Sequence, residues 1–273
     1  MNNGISIIVP TKNSDSTLRQ LLHSISVQSY HPFEIIVVDN HSDDDTLQIA
    51  RDMGANVLCQ GPERSAQRNL GAKVAKYDTL LFLDSDMELT ASVLQDCARA
   101  IELFDAVCIK ENIVWGDNIW AKARSFERKS YFGSLYFEAA RCLRKSVFFK
   151  LGGYDSNITG LEDMALQALL IKYGFRIGWV ESEILHHEEG LNLLSYFKKR
   201  SHYGSTDTIF ATNFPDYWRI LCSPKVRLKF IFSYLNREGN MSDILSVSGL
   251  VIARLIELAV RSKSSIQSKI DSC

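Results

Sequence analysis

The stretch Leu80-Leu81-Phe82-Leu83-Asp84-Ser85-Asp86 ends an apolar run on two carboxylates separated by a single residue. In an extended segment residues i and i+2 project to the same side, so both acids can address one hard cation and, through it, a diphosphate. The plainer alternative is a turn or helix cap at a strand end. Arg64 and Arg68 stand four apart, on one face of a helical turn. Two arginines near a helix start oppose the macrodipole unless an anion is present, and Asn69 adds a neutral donor beside them; surface salt bridging is the other reading. Carboxylates pair again at Glu162-Asp163, and two imidazoles follow an apolar pair in Ile184-Leu185-His186-His187. Lys198, Lys199 and Arg200, with His202 and Tyr203 close behind, form either a basic segment for phosphate or a solvated helical face.

These groups must be held by a frame. Short β-branched runs alternate with amphipathic stretches through the first half, the signature of βαβ units around a mostly parallel sheet. Strands are expected over residues 5–9, 35–38, 57–58, 79–83 and 106–110. Helices are expected from the caps Ser14, Asp15 and Ser16 through Ile25, from the polar stretch 39–46 through 53, and over 64–75. A long aromatic-rich helix or helix pair is expected over 120–137, a short helix over 145–151 closed by Gly152-Gly153, and another over 162–173 ended by Gly174. In open α/β sheets ligands lie outside the carboxyl ends of the strands, which singles out Pro10-Thr11-Lys12-Asn13, Asp39-Asn40-His41-Ser42 and Asp84-Ser85-Asp86. After residue 190 the sheet signals stop, and residues 228–235 and 244–260 read as two helices with apolar faces too rich for a solvated tail.

A length of 273 residues suits one α/β catalytic domain, residues 1–205, with a helical appendage over 206–273. Hydrophobic content of 46% and charged content of 23% are those of a globular protein, and a net charge of −1 gives no global reason to expect a nucleic-acid partner. The six cysteines form no C-x-x-C pair and the first residues lack a signal-peptide layout, so free thiols in a reducing cytosol are expected. The longest weakly charged stretch, residues 244–253, is about half of the roughly 20 residues a bilayer requires, and Arg254 and Glu257 interrupt its continuation, so no transmembrane span is expected.

In order along the chain, Ser6-Ile7-Ile8-Val9-Pro10-Thr11-Lys12-Asn13, Glu34-Ile35-Ile36-Val37-Val38-Asp39-Asn40, Arg64-Ser65-Ala66-Gln67-Arg68-Asn69-Leu70-Gly71-Ala72, Asp84-Ser85-Asp86, Gly152-Gly153-Tyr154-Asp155 and Gly160-Leu161-Glu162-Asp163 resemble glycosyltransferase family 2 over about residues 4–205. The resemblance implies the GT-A fold, a Rossmann-like, mostly parallel central sheet flanked by helices, with a nucleotide-sugar half over 1–110 and an acceptor half over 111–205. It implies an inverting, metal-dependent transferase. Pro10, Thr11, Asn13 and Asp39 then lie around the nucleoside, Asp39 accepting from base or ribose or else capping the next helix. Arg64, Arg68 and Asn69, with Lys198 and Arg200 further on, lie near the donor diphosphate. Asp84 and Ser85 contact the donor, and Asp86 holds Mn²⁺ or Mg²⁺. Asp84 also stands as a metal ligand or as partner to ribose or metal-bound water, and His186, preferred over His187, completes the shell. Asp163 is implied as the base facing the acceptor hydroxyl, a role Glu162 could exchange with it.

The sequence departs from the common family pattern at Asn40, where many relatives have a second aspartate, and at Met164, where an aromatic residue is frequent. The implied donor is a nucleotide sugar, with a UDP-sugar favoured, and the acceptor a saccharide, a lipid-linked saccharide or a polyisoprenyl phosphate. Such an acceptor points to a cytoplasmic protein at the inner face of the membrane, reached through the apolar C-terminal helices; a second copy of the chain is the rival occupant of those faces. Trp115, Trp120, Phe126, Tyr131, Phe132, Tyr136 and Phe137 read either as an acceptor cleft or as core. Two other functions stand beside transfer. A nucleotidyltransferase would want a glycine-rich loop after the first strand, which Pro10-Thr11-Lys12-Asn13 lacks, and a silent nucleotide-sugar binder would have no use for Asp163.

Overall fold

β1 (Ile5–Thr11) is buried along its whole length, since Ile5, Ile7 and Val9 face one helical layer and Ile8 faces the other. Double burial is what a central parallel strand requires. The computed structural model describes residues 4–114, 119–187 and 206–238. Lys198, Arg200, His202, Tyr203, Trp115 and the helix expected over 244–260 lie outside the described residues, as does the side chain of Trp120.

After β1 come α1 (Asp15–Ser26), β2 (Phe33–Asp39), α2 (Thr46–Asp52), β3 (Asn56–Cys59), α3 (Arg64–Val74), β4 (Thr79–Phe82), β5 (Met87–Leu89), α4 (Val93–Leu103) and β6 (Ala106–Val114). The second half continues with α5 (Ile119–Ser130), β7 (Cys142–Arg144), α6 (Lys145–Lys150), α7 (Glu162–Lys172) and β8 (Ile177–His187). Three more helices follow: α8 (Asp207–Asn213), α9 (Pro215–Cys222) and α10 (Pro224–Glu238). The described strands form one eight-stranded sheet in the order β3-β2-β1-β4-β7-β6-β8-β5. β7 runs antiparallel to β4 and β6, and β5 antiparallel to β8, while the other described pairings are parallel. The mostly parallel α/β sheet expected from the sequence is therefore present. Reversal of β5 and β7 brings their first residues to the same edge as the carboxyl ends of the other six.

Leu18, Leu21, Leu22 and Ile25 of α1 and Val93, Leu94, Cys97 and Ile101 of α4 cover one face. On the other, Ala72 of α3, Val147 and Phe148 of α6, and Leu166 and Leu170 of α7 pack on Ile8, Ile36 and Phe82. Each such large side chain contributes about 1.5–3 kcal/mol when removed from water. Cys59, Cys97, Cys108, Cys142 and Cys222 are free thiols.

Two differences from the sequence reading bear on the site. The helix expected over 120–137 stops at Ser130, whose hydroxyl donates back to the Glu127 carbonyl at 2.7 Å, and Gly133 then takes a left-handed φ of 82°. The sheet is also completed by β7 and β8, two strands not among those expected from the sequence. The aromatic residues of 126–137 that are described are largely core: Phe126, Tyr131 and Phe137 are buried, and the rings of Tyr131 and Phe137 stack at 4.3 Å. Phe210, Tyr217 and Leu221 from α8 and α9 join them, together with Ala165 and Ala168 on the outer side of α7, and Ile231 of α10 packs on Phe126. The apolar faces of α8 and α9, and one side of α10, are thus covered by the chain itself.

Candidate active site

The tips of β1 and β2 are laced together. Pro10 pairs with Val38 and Thr11 with Asp39 in the parallel register. Asp39 is fully buried, and its carboxylate accepts the Thr11 hydroxyl at 2.8 Å, the Ser42 hydroxyl at 2.6 Å and the Ser42 amide at 2.7 Å. It therefore closes the loop that follows β2 and does not cap α2, whose N-cap residue is Asp45. The Asn13 amide donates to the Ser42 hydroxyl at 2.8 Å, its side-chain carbonyl accepts the Asp43 amide at 3.2 Å, and Lys12 Nζ reaches the His41 carbonyl at 2.6 Å. Gln67, which the sequence reading did not single out, donates from below to the carbonyls of Thr11 and Val38 at 2.9 and 2.6 Å.

Beyond these loops the sheet edge carries a continuous ladder of charge. Arg68 of α3, 3% exposed, places Nη2 2.5 Å from Asp84 Oδ1 and Nη1 2.8 Å from Glu162 Oε1. Arg64 adds a second cation on Glu162 at 3.3 Å. On the other side Arg141, the residue that enters β7, approaches Asp84 Oδ2 at 3.5 Å and pairs through Nε with Glu111 of β6, which Arg128 of α5 also grips. Burial disfavours charge on Asp84 and Glu111, but the guanidiniums outweigh it. Asp84 is held well below the usual carboxylate range, chiefly by Arg68 and then Arg141, and Glu111 likewise by Arg128 and Arg141. Removing one member of such a buried pair leaves an uncompensated charge that costs about 3–5 kcal/mol.

Asp86 lies past the ladder, with Oδ1 3.2 Å from His186 Nε2. The His186 ring faces Glu111 with Nδ1 at 3.8 Å, whereas His187 turns to Glu88 at 2.8 Å and to Gln20 at 3.2 Å. Burial opposes charge on His186, yet the hydrogen bonds with Asp86 and Glu111 prevail and push its pKa up to about 10. Ser85 donates to Ser14 at 3.0 Å. At the start of α7 the Asp163 carboxyl behaves in the opposite sense to Asp84. Burial first, and then the neighbouring charge of Glu162, raise its pKa against the pull of Arg141 and Arg68. One Asp163 oxygen accepts the Met164 amide at 2.7 Å. Glu162 Oε2 and Arg68 Nε are buried without a hydrogen-bond partner among the described residues.

The profile of glycosyl transferase family 2 matches residues 6–155, more than half of the 273 residues. The chain belongs to glycosyl transferase family 2. Among similar proteins, this family 2 chain is 25% identical over 221 residues to the O-antigen chain rhamnosyltransferase RfbN of Salmonella typhimurium, covering 71% of the chain and 69% of RfbN. It is 26% identical over 234 residues to the O-antigen chain rhamnosyltransferase WbaN of Salmonella anatum, covering 76% and 72%. A crystal structure of residues 1–349 of TarS from S. aureus superposes with a TM-score of 0.59 at 19% identity, covering 91% of this chain and 80% of that one. The GT-A fold implied by the motifs is the fold of this chain. Another S. aureus TarS crystal structure holds a longer chain, of which this glycosyltransferase spans 44%.

The structure of this glycosyltransferase brings Arg64, Arg68, Glu162 and Asp84 into one cluster, with Asp86 and His186 as a second pair. It does not gather Asp84, Asp86 and His186 into a single ligand set: among the described residues no three His, Cys, Asp or Glu side chains stand together to hold a metal. Both oxygens of Asp84 are engaged by arginine. Asn69 is occupied too, since its amide bridges the backbone of Tyr154 with bonds of 2.8 and 2.9 Å. Arg141 and Glu111 were not singled out from the sequence. Glu111 gives no strand-end signal, because Lys110 separates it from the apolar run 106–109 and it lies within β6.

Proposed function

We propose that the chain transfers a sugar from a nucleoside-diphosphate sugar to a saccharide or lipid-linked acceptor by metal-assisted single displacement, with inversion at the anomeric carbon. The arrangement that carries this reading is Arg68 bridging Asp84 and Glu162, with Asp163 the next residue at the start of α7. Asp84 is clamped in its ionised form, while Asp163, beside the other partner of Arg68, has a raised pKa. Environments that drive the pKa values of nearby acids apart mark a division of labour between an electrostatic group and a proton acceptor. Asp163 takes the acceptor proton, and Arg68 and Arg64 face the diphosphate side.

Asp86 and His186 fit a divalent cation, Mn²⁺ or Mg²⁺, through one oxygen and one nitrogen, provided that phosphate oxygens and water supply the remaining ligands. A cation held there would supply neutralisation of the charge on the departing diphosphate. Asp84, held by two arginines, fits a supporting place better than a ligand's. TarS crystals with UDP and with UDP-GlcNAc support a UDP-sugar donor, and the O-antigen rhamnosyltransferases support a product in surface polysaccharide synthesis. A lipid-linked or polyisoprenyl-phosphate acceptor would put the enzyme at the inner membrane face. Exposed Leu228 and Phe232 on α10, beside Lys225 and Lys229, support such peripheral contact, with a second copy of the chain as the alternative occupant. No described helix is long and apolar enough to cross a membrane.

The deciding experiment is Asp163→Asn assayed for nucleotide-sugar binding and for turnover. Binding within about twofold of wild type with turnover down at least 10²-fold is expected for loss of a general base. Full turnover in the variant places the base elsewhere.

A further inference from the structure

α7 starts without a side-chain cap at Leu161, and the residue before Leu161 is Gly160 with a φ of 84°. Glu162 is held by Arg64 and Arg68 and one Asp163 oxygen by the Met164 amide, but no side chain caps the turn that precedes them. A further restraint on that turn comes from residues after 205. The Thr206 hydroxyl accepts the Thr159 amide at 2.9 Å and donates to the Thr159 carbonyl at 2.8 Å, clipping both backbone groups three residues ahead of Glu162. One residue beyond Asp163, Met164 Sδ lies 3.7 Å from the Tyr217 hydroxyl. That hydroxyl also lies within hydrogen-bond distance of the Tyr136 and Leu135 carbonyls, at 3.1 and 3.3 Å. Gln167 of α7, nearly fully buried, donates to the same Leu135 carbonyl at 3.2 Å and accepts the amide of Ala140, the neighbour of Arg141, at 3.1 Å.

We propose that Thr206 and Tyr217 are positioning residues, through which the helices after residue 205 hold the first turn of α7 and so aim Asp163 at the acceptor hydroxyl. The inference rests on the reading of Asp163 as base. Phe210, Tyr217 and Leu221 anchor this segment by burial, which is tolerant of small shifts, whereas the hydroxyl contacts set direction. A proton transfer demands that direction, since a misplacement of about 1 Å can cost 10²-fold in rate.

The test compares Thr206→Val, Thr206→Ser and Tyr217→Phe in the full chain. The donor is whichever UDP-, GDP- or dTDP-sugar yields nucleoside diphosphate with the wild-type protein and Mn²⁺. Thr206→Val is expected to lower kcat by about 10- to 100-fold while donor KM stays within twofold. Thr206→Ser, which keeps the hydroxyl, restores kcat, and Tyr217→Phe falls between. Amide exchange over residues 160–166 tests the clip without any donor, and is expected to quicken in Thr206→Val and not in Thr206→Ser. The proposal is overturned by wild-type kcat in Thr206→Val, by a Thr206→Ser variant as impaired as the valine one, by equal losses of kcat and donor affinity, or by unchanged exchange. Asp163→Asn separates the two levels. If it retains turnover the base assignment fails, whereas an inactive Asp163→Asn beside a fully active Thr206→Val removes only the role of Thr206.

Discussion

Glu138 is a buried acid with no cation paired to it among the described ion pairs. Its Oε2 accepts the Gly133 amide at 2.8 Å and the Trp179 indole at 2.9 Å, but burial dominates and pushes its pKa up to about 7. The folded protein thus holds this proton at a pH where the unfolded chain, with its ordinary carboxylate pKa, has released it. Stability from this group is fully present below the unfolded pKa and is lost as pH climbs through the folded one, a difference on the order of 2–3 kcal/mol between pH 4.5 and 7.5. Glu138→Gln can accept both hydrogen bonds without titrating, so thermal melts of the variant should be flatter than wild type across that window; parallel curves would refute the assignment. Asp86 has a different test. Asp86→Ala is expected to abolish the extra thermal stabilisation that Mn²⁺ confers in the presence of UDP, and an undiminished shift would sink the cation site. At this scale the sequence disclosed the acids but not their partners. Asp84, Asp86, Glu162 and Asp163 announce themselves by pairing, whereas Arg141 is an isolated cation in Ala139-Ala140-Arg141-Cys142, and only the fold reveals that it stands between Glu111 and Asp84.

Among the elements, those with a long periodic signal were legible and those supported by their neighbours were not. α1 shows its buried face at 18, 21, 22 and 25, and β1 is an unbroken apolar run, so both follow from spacing alone. β5 and β7 are three residues each, too short for any period, and exist because β8 and β4 offer edges to pair with. β8 carries Glu181, Ser182 and Glu183 in its middle, which masks its strand character until it is laid beside β6 and bridged by Lys110 and Glu183 at 2.9 Å. β7 also explains why the rule of strand carboxyl ends failed to find Arg141. A reversed strand presents its entry, not its exit, at the working edge.

On the scale of the whole molecule, the described helices beyond residue 205 pack on the half that precedes them. Phe210, Tyr217 and Leu221 pack on Tyr131, Phe137, Ile158, Ala165 and Ala168, so α8 and α9 complete the half that bears Asp163. A chain ending at residue 205 would uncover that apolar surface. Each of the three lost side chains is worth about 1.5–3 kcal/mol, so the shortened protein is expected to melt well below the full chain or to aggregate, as light scattering and a thermal melt would register. An unchanged melting temperature would show that the second half stands alone.

The loops at the tips of β1 and β2 hold Asn13 and His41 at left-handed φ values of 49° and 52°, a shape these residue types accept at modest cost. Their cross-links to Ser42, Asp43 and Lys12 mean that the cradle is rigid before any visitor arrives. A nucleoside at the proposed donor site would meet these cross-links already made, so that little ordering of these two loops would be needed on binding.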